Sequence, residues 1–197
     1  MQAQTTLEKN WFKNCLENKD LLEKIKKIKL IITDVDGALT DGQVLIQQDY
    51  ISKSFSVQDG FIIDRTLKNN LLNIAFLSGR KDEVTKKRAH MLGVPDDMCF
   101  IGFCGSKVEK LNEILKTKNL TKEQTLYFGD DFLDIELKPH VSLLACPTNT
   151  PFYFQQEADI LVPRDGGNHT FRLLLDLILY VQKKHPFAQK FIEKALK

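Results

Sequence analysis

In the stretch KLIITDVDGALTDG, Lys29 to Gly42, an apolar run ends in two aspartates two positions apart, Asp34 and Asp36, with Gly37 directly behind them. Further along, Ser78 closes the run NIAFLS, Lys107 stands near the start of SKVEKLNEILK, and Asp130, Asp131 and Asp134 follow TLYFG. Carboxylates crowded on one site repel unless a cation or a shared proton compensates them. The cluster therefore implies a hard, oxygen-seeking metal, with Mg2+ the first choice. A metal held by a few carboxylates keeps positions open for water and phosphate oxygens, and Lys107 would neutralise further phosphate charge as a mobile point cation. Carboxylates, a hydroxyl and an ammonium on one rim point to phosphoryl transfer.

The elements that must position these residues can be read from hydrophobic periodicity. Apolar residues three or four apart from Leu7 to Ile28 (Leu7, Trp11, Cys15, Leu22, Ile25) predict one or two amphipathic helices ahead of the first strand, a helical extension over residues 1–28. VLIQQDYISKSFSV predicts a hairpin around a polar turn, and FIIDRTLKNNLL a helix. NIAFLS, MCFIG, TLYFG, SLLACP and ADILV predict strands, separated by the helices DEVTKKRAHML and SKVEKLNEILK, and NHTFRLLLDLILYVQKK and PFAQKFIEKAL close the chain as helices. Ser106 and Glu109 have capping-box spacing, so Ser106 reads as a helix cap and not as a nucleophile. Gly93, with Pro95 beyond it, is placed to stop the preceding helix. Short strands alternating with helices predict an α/β fold, a doubly wound, Rossmann-like parallel sheet, as a single domain over residues 29–197. In such a sheet ligands bind outside the carboxyl ends of the strands, where these polar residues fall.

Composition narrows the possibilities. The 197 residues, 43% hydrophobic and 27% charged, suit one globular unit, and no apolar run approaches the roughly 18 residues a bilayer span needs. A net charge of +2 gives no argument for nucleic acid. The first residues show neither a continuous apolar core nor a small-residue cleavage site, so a cytoplasmic location is expected. Cys15, Cys99, Cys104 and Cys146 form no C-x-x-C pair and read as small apolar residues. The four histidines are scattered and carry no assigned role, although His169, beside the glycines of DGGNH, could face the site.

DVDGALTDG, LSGR, GSKVEKL and GDDFLD, in this order, resemble the four motifs of the haloacid dehalogenase superfamily of phosphohydrolases. The resemblance implies that Asp34 is the nucleophile, giving an aspartyl-phosphate, and that Asp36 protonates the leaving alkoxide and then deprotonates water. It implies that Ser78 and Lys107 contact the transferring phosphoryl group. Asp34, the backbone carbonyl of Asp36 and Asp130 would hold Mg2+, with Asp131 and Asp134 in support and Gly79 and Arg80 binding substrate.

The gaps of about forty residues between Asp36 and Ser78, and about thirty between Ser78 and Lys107, hold no separate cap domain. A hairpin, Gln43 to Val57, protrudes in its place and would cover a neighbouring subunit's site, so a homo-oligomer is expected. Within the superfamily, the hairpin ending FSVQDGFII together with SGRK and GDDFLDIE looks like the capless 3-deoxy-D-manno-octulosonate 8-phosphate phosphatases. That family implies a tetramer, Mg2+ and a small anionic sugar-acid phosphate on the way to lipopolysaccharide. Arg80 and Lys107, with Arg65, Lys53 and Arg164 as further basic candidates, suit such a substrate. Gln58 and the segment GGNHTFR depart from the family pattern and bear on which sugar is read; related members act on sialic-acid-type 9-phosphates. The rival from another class is a phosphoacceptor switch of receiver type, against which stands the order of motifs, D-x-D first and the double aspartate last.

Overall fold

The computed structural model describes residues 2–48 and 50–197, the side chain of Gln2 excepted. Asp49, in the turn of the expected hairpin, lies outside the described residues. The chain opens with α1 (Gln2–Glu17) and α2 (Lys19–Lys27), separated by Asn18, whose side chain accepts the N–H of Leu21 at 3.1 Å and so caps α2. β1 (Leu30–Thr33), the antiparallel pair β2 (Leu45–Ile46) and β3 (Ile51–Ser52), α3 (Val57–Lys68), β4 (Asn73–Ser78), α4 (Glu83–Met91) and β5 (Cys99–Ile101) follow. The second half runs α5 (Lys107–Lys118), β6 (Thr125–Phe128), α6 (Phe132–Ile135), β7 (Leu143–Cys146), α7 (Phe152–Glu157), β8 (Ile160–Leu161), α8 (Thr170–Val181) and α9 (Gln189–Leu196).

Six strands form one parallel sheet in the order β5-β4-β1-β6-β7-β8. β1 is buried on both faces, which is why LIIT shows no polar alternation. From β1 the chain moves outward through β4 to β5, then returns along α5 to β6 on the other side of β1. This reversal opens a crevice at the carboxyl ends of β1 and β6, the place where doubly wound sheets bind ligands. Thr33 lies opposite Phe128 in register, so the residues after the two strands share that crevice.

Several elements depart in detail from the sequence expectation. α3 starts at Val57, four residues before Phe61, because Ser56 caps it by accepting the N–H of Asp59 at 3.1 Å. The buried face of α1 and α2 carries Phe12, Cys15, Leu21 and Ile25, whereas Leu7 is 51% exposed and Trp11 and Leu22 are half-buried, because Phe12 and Leu21, one position away, are the ones that share the inward stripe with Cys15 and Ile25 at i, i+3 and i, i+4 spacing. α6 and α7 give no signal in the sequence, since both are under two turns, too short for periodicity to show. The hairpin β2–β3 stands off the sheet, with Leu45 59% and Ile46 74% exposed. α2 packs on α8, where Gln182 donates to the carbonyls of Ile25 and Ile28, and the ring of Phe12 meets Tyr180 edge-on at 5.5 Å.

Candidate active site

The ladder between β1 and β6 runs one residue past the strands, the Asp34 N–H donating to the Phe128 carbonyl at 2.8 Å, and this sets Asp34 at the crevice. One carboxylate oxygen of Asp34 accepts the N–H of Val35 at 2.7 Å; the other accepts Lys107 Nζ at 3.0 Å. Lys107 reaches in from the first turn of α5, where Ser106 accepts the Glu109 N–H at 3.3 Å as the expected cap. The same ammonium donates to Asp134 Oδ1 at 2.6 Å and to Tyr127 Oη at 3.2 Å. Asp134 is fully buried and also accepts the Tyr127 hydroxyl at 2.7 Å and the N–H groups of Asp130 and Asp131 at 3.1 and 3.4 Å. It is the hub that holds Lys107 and the loop after β6 in register.

Charge in this cluster is unbalanced. Burial first, then the neighbouring Asp134, pushes the Asp34 carboxyl up to about 6 despite Lys107. Burial and the carboxylates of Asp34, Asp134 and Asp131 push Asp130 up to about 8. Burial works against the Lys107 charge, yet Asp134 and Asp34 outweigh it and hold the ammonium above its ordinary value. Burial and the same carboxylates raise Tyr127 well above the ordinary phenol range, so its hydroxyl keeps its proton and donates.

These residues fit a divalent cation. Ligand oxygens of Asp34, Asp130 and Asp134 lie within 4.8 Å of one another, and Asp130 Oδ1 is buried with no hydrogen-bond partner. A Cβ on Gly37 would stand 1.9 Å from Asp130 Oδ2, and the φ of +88° at Gly37 favours glycine independently. Asp34 and Asp130 offer the freer oxygens, since those of Asp134 already serve the ammonium, the phenol and two N–H groups. Asp131 is exposed and caps α6, accepting the Phe132 N–H at 2.7 Å, so its carboxylate turns out of the cluster.

Asp36 is placed differently. Its carboxylate belongs to a second group, 2.6 Å from Lys53 Nζ through Oδ1 and accepting Arg80 Nε at 3.0 Å through Oδ2. Gly79 and Arg80 are exposed at the rim, and Ser78 is buried at the end of β4, its carbonyl accepting the N–H groups of Gly102 and Phe103. Two basic candidates lie elsewhere: Arg65 stacks over Phe61 at 5.5 Å, and Arg164 pairs with Glu8 of α1 at 2.8 Å. His169 faces the first turn of α3, its Nδ1 2.7 Å from Ser56 Oγ. The loop before α8 closes on the loop that follows β1. Gly167 donates to the Ala38 carbonyl at 3.1 Å, and a Cβ on Gly166 would stand 1.8 Å from the Gly37 carbonyl oxygen.

Sequence reasoning overlooked Tyr127, whose hydroxyl sits inside the apolar run TLYF with no polar neighbour to mark it, and Asp82, which reads only as a helix cap. Lys53 was one basic candidate among several.

A doubly wound sheet with a carboxylate cluster at its switch point, an ammonium from the following helix and a hairpin where a cap domain would sit defines a capless phosphatase of the haloacid dehalogenase superfamily. No family model matches the chain. It is similar to the solved structure of a HAD superfamily (subfamily III A) hydrolase from Legionella pneumophila, with a TM-score of 0.81 at 30% identity over 93% of this chain and 97% of that one. The crystal structure of 3-deoxy-D-manno-octulosonate 8-phosphate phosphatase from Moraxella catarrhalis, in complex with magnesium ion, phosphate ion and a KDO molecule, matches with a TM-score of 0.78 at 26% identity, over 89% of this chain and 97% of that one. The 3-deoxy-D-manno-octulosonate 8-phosphate phosphatase of Haemophilus influenzae is 34% identical over 166 residues, 82% of this chain and 88% of the relative. The chain belongs to this family of phosphoric monoester hydrolases. No helix among the described residues is long and apolar enough to cross a membrane.

Proposed function

We propose that the protein releases inorganic phosphate from 3-deoxy-D-manno-octulosonate 8-phosphate by way of an aspartyl-phosphate on Asp34, in the formation of a lipopolysaccharide precursor. The observation that carries this reading is the separation of the two aspartates. Asp34 lies among carboxylates and the Lys107 ammonium, while Asp36, two residues on, turns its carboxylate to Lys53 and Arg80.

Asp34 attacks phosphorus as the bond to the sugar oxygen breaks, and Asp36 gives its proton to the departing alkoxide. Water then attacks the aspartyl-phosphate, its proton passes to Asp36, and phosphate leaves with the Asp34 carboxylate restored. Lys107 stabilises charge on the transferring group and Ser78 donates a hydrogen bond to it, while Gly79 and Arg80 engage the substrate anion at the rim. Asp34, Asp130 and the backbone carbonyl of Asp36 would hold Mg2+, oriented through Asp134. The bound cation would supply charge neutralisation for the phosphate oxygens and for the crowded carboxylates. Residues 29–197 form the phosphatase unit, and residues 1–28 an extension whose α2 packs on α8. The exposed hairpin residues Leu45, Ile46, Tyr50 and Ile51 favour a homo-oligomer, in keeping with a tetramer, in which a neighbour covers the open site.

The test is phosphate release with and without Mg2+ across 3-deoxy-D-manno-octulosonate 8-phosphate, sialic-acid-type 9-phosphates, hexose phosphates and nucleotides, with Asp34→Asn as control. Preference for the octulosonate, lost in the variant, supports the reading. Preference for a 9-phosphate would keep the chemistry and replace the substrate. Stable labelling of Asp34 without turnover would make the protein a phosphoacceptor switch.

A further inference from the structure

Lys53 stands at the foot of the hairpin, in the segment leading from β3 to α3, and its side chain is 0% exposed. A buried ammonium is stable only when fully compensated. Lys53 Nζ donates to Asp82 Oδ2 at 2.6 Å and to Thr85 Oγ1 at 3.2 Å, and lies 2.6 Å from Asp36 Oδ1. Asp82 is itself fixed: as the N-cap of α4 it accepts the Thr85 N–H at 2.6 Å and the Thr85 hydroxyl at 3.1 Å. The chain of contacts thus runs from the rigid first turn of a helix, through a buried ammonium, to one oxygen of Asp36.

The other oxygen of Asp36 is held by Arg80, whose side chain is 48% exposed. The two cations differ in what they can do. Arg80 lies on the rim and can turn toward an incoming anion, releasing Asp36; the buried Lys53 side chain is held between Asp36 and Asp82.

We propose that Lys53 is a positioning residue for proton transfer: anchored on Asp82, it holds the Asp36 carboxylate toward the leaving-group oxygen and keeps it there when Arg80 turns to the substrate. This rests on the reading of Asp36 as the acid–base carboxylate. It also ties the hairpin to the chemistry, because the residue that orients Asp36 sits at the hairpin's foot.

The test separates proton delivery from general damage by changing the leaving group. A sugar phosphate leaves as an alkoxide that must be protonated; p-nitrophenyl phosphate leaves as a stable phenolate that need not be. Single-turnover release of the leaving group of each, sugar or p-nitrophenol, which precedes the attack of water, is measured for the wild type, Lys53→Met, Lys53→Arg and Asp36→Asn, with thermal midpoints as the check on folding. Lys53→Met should lose about 10- to 100-fold on the sugar phosphate and several-fold less on the aryl phosphate. Lys53→Arg should recover most of that loss, and Asp36→Asn should show the same selectivity more strongly. Equal losses on both substrates in Lys53→Met, or no loss, would overturn the proposal. If Lys53→Met does not fold, Asp82→Asn, which loosens the anchor but keeps Lys53, should give the same selective loss in smaller measure, and an unselective loss there is equally fatal. A wild type that turns over both substrates while Asp36→Asn loses them equally would remove the acid–base reading itself, and with it the role given to Lys53.

Discussion

Two lysines organise the two sides of this crevice, and they do so under opposite charge balances. Lys107 faces Asp34 and Asp134, with Asp130 close by, so three carboxylates meet one ammonium. Lys53 and Arg80 face Asp36 and Asp82, so two carboxylates meet two cations. The first group is incomplete without further positive charge, and the Asp34 and Asp130 carboxyls are pushed up toward their neutral forms. The second is complete within the protein. The difference separates them physically: the unbalanced cluster calls for further positive charge, which the proposed metal would bring, while the balanced one holds a side chain still.

The sharpest way to break this comparison is Asp34→Asn, which removes the proposed nucleophile and one negative charge from the unbalanced side. Phosphate release should fall at least about 1000-fold in a steady-state assay, and retention of activity would move the chemistry elsewhere. Next in size is Lys107→Met, which strands Asp134 in the interior. Loss of one partner of a buried pair costs about 3–5 kcal/mol, read as a drop in denaturation midpoint.

Mg2+ should raise the thermal midpoint of the wild type by mass action, by about 2.7 kcal/mol of stability at a hundredfold excess over the dissociation constant. Asp130→Asn should abolish that rise, whereas Asp82→Asn, on the balanced side, should keep it; a rise of equal size in both would erase the distinction between the two groups.

A smaller effect is expected outside both clusters. His169, at φ 61°, gives α8 no side-chain cap, and Asp59 of α3 supplies the missing acceptor, its Oδ1 taking the N–H of Arg172 at 2.6 Å. Asp59→Ala should cost about 1 kcal/mol by urea titration, and Asp59→Asn much less. Burial pushes the Asp59 carboxyl up to about 6, against the Arg172 N–H, Ser56 and the more distant charges of Arg164 and Arg172. Arg88 of α4 lines the same small cavity. The folded state therefore keeps this proton where the unfolded chain has released it, and its contribution to stability declines as pH rises from about 4 to about 6. Thermal midpoints across that window should decline less steeply in Asp59→Asn. The smallest effect belongs to Glu8→Gln, which cuts the partly exposed pair with Arg164 and should cost about 0.5 kcal/mol.

What the sequence determined by itself was the order of elements and the identity of the charged groups at strand ends. Residues 73–78 form the expected strand, Ser106 caps the expected helix, and Gly93 ends α4 at φ +75°, because burial periodicity and capping chemistry are local properties of the chain. The acidic strand ends were legible for the same reason: each follows directly on an apolar run. Tertiary structure alone decided which charges meet. Asp34 and Lys107 are 73 positions apart, Lys53 and Asp82 are 29 apart, and nothing local distinguishes Lys53 from an exposed lysine on a hairpin. Asp34 and Asp36 look equivalent as a pair two residues apart, yet the turn at Gly37 and the crossing of the sheet send one into an excess of negative charge and the other between two cations. Pairwise electrostatics depends on distance and burial in space, and neither is written in sequence separation.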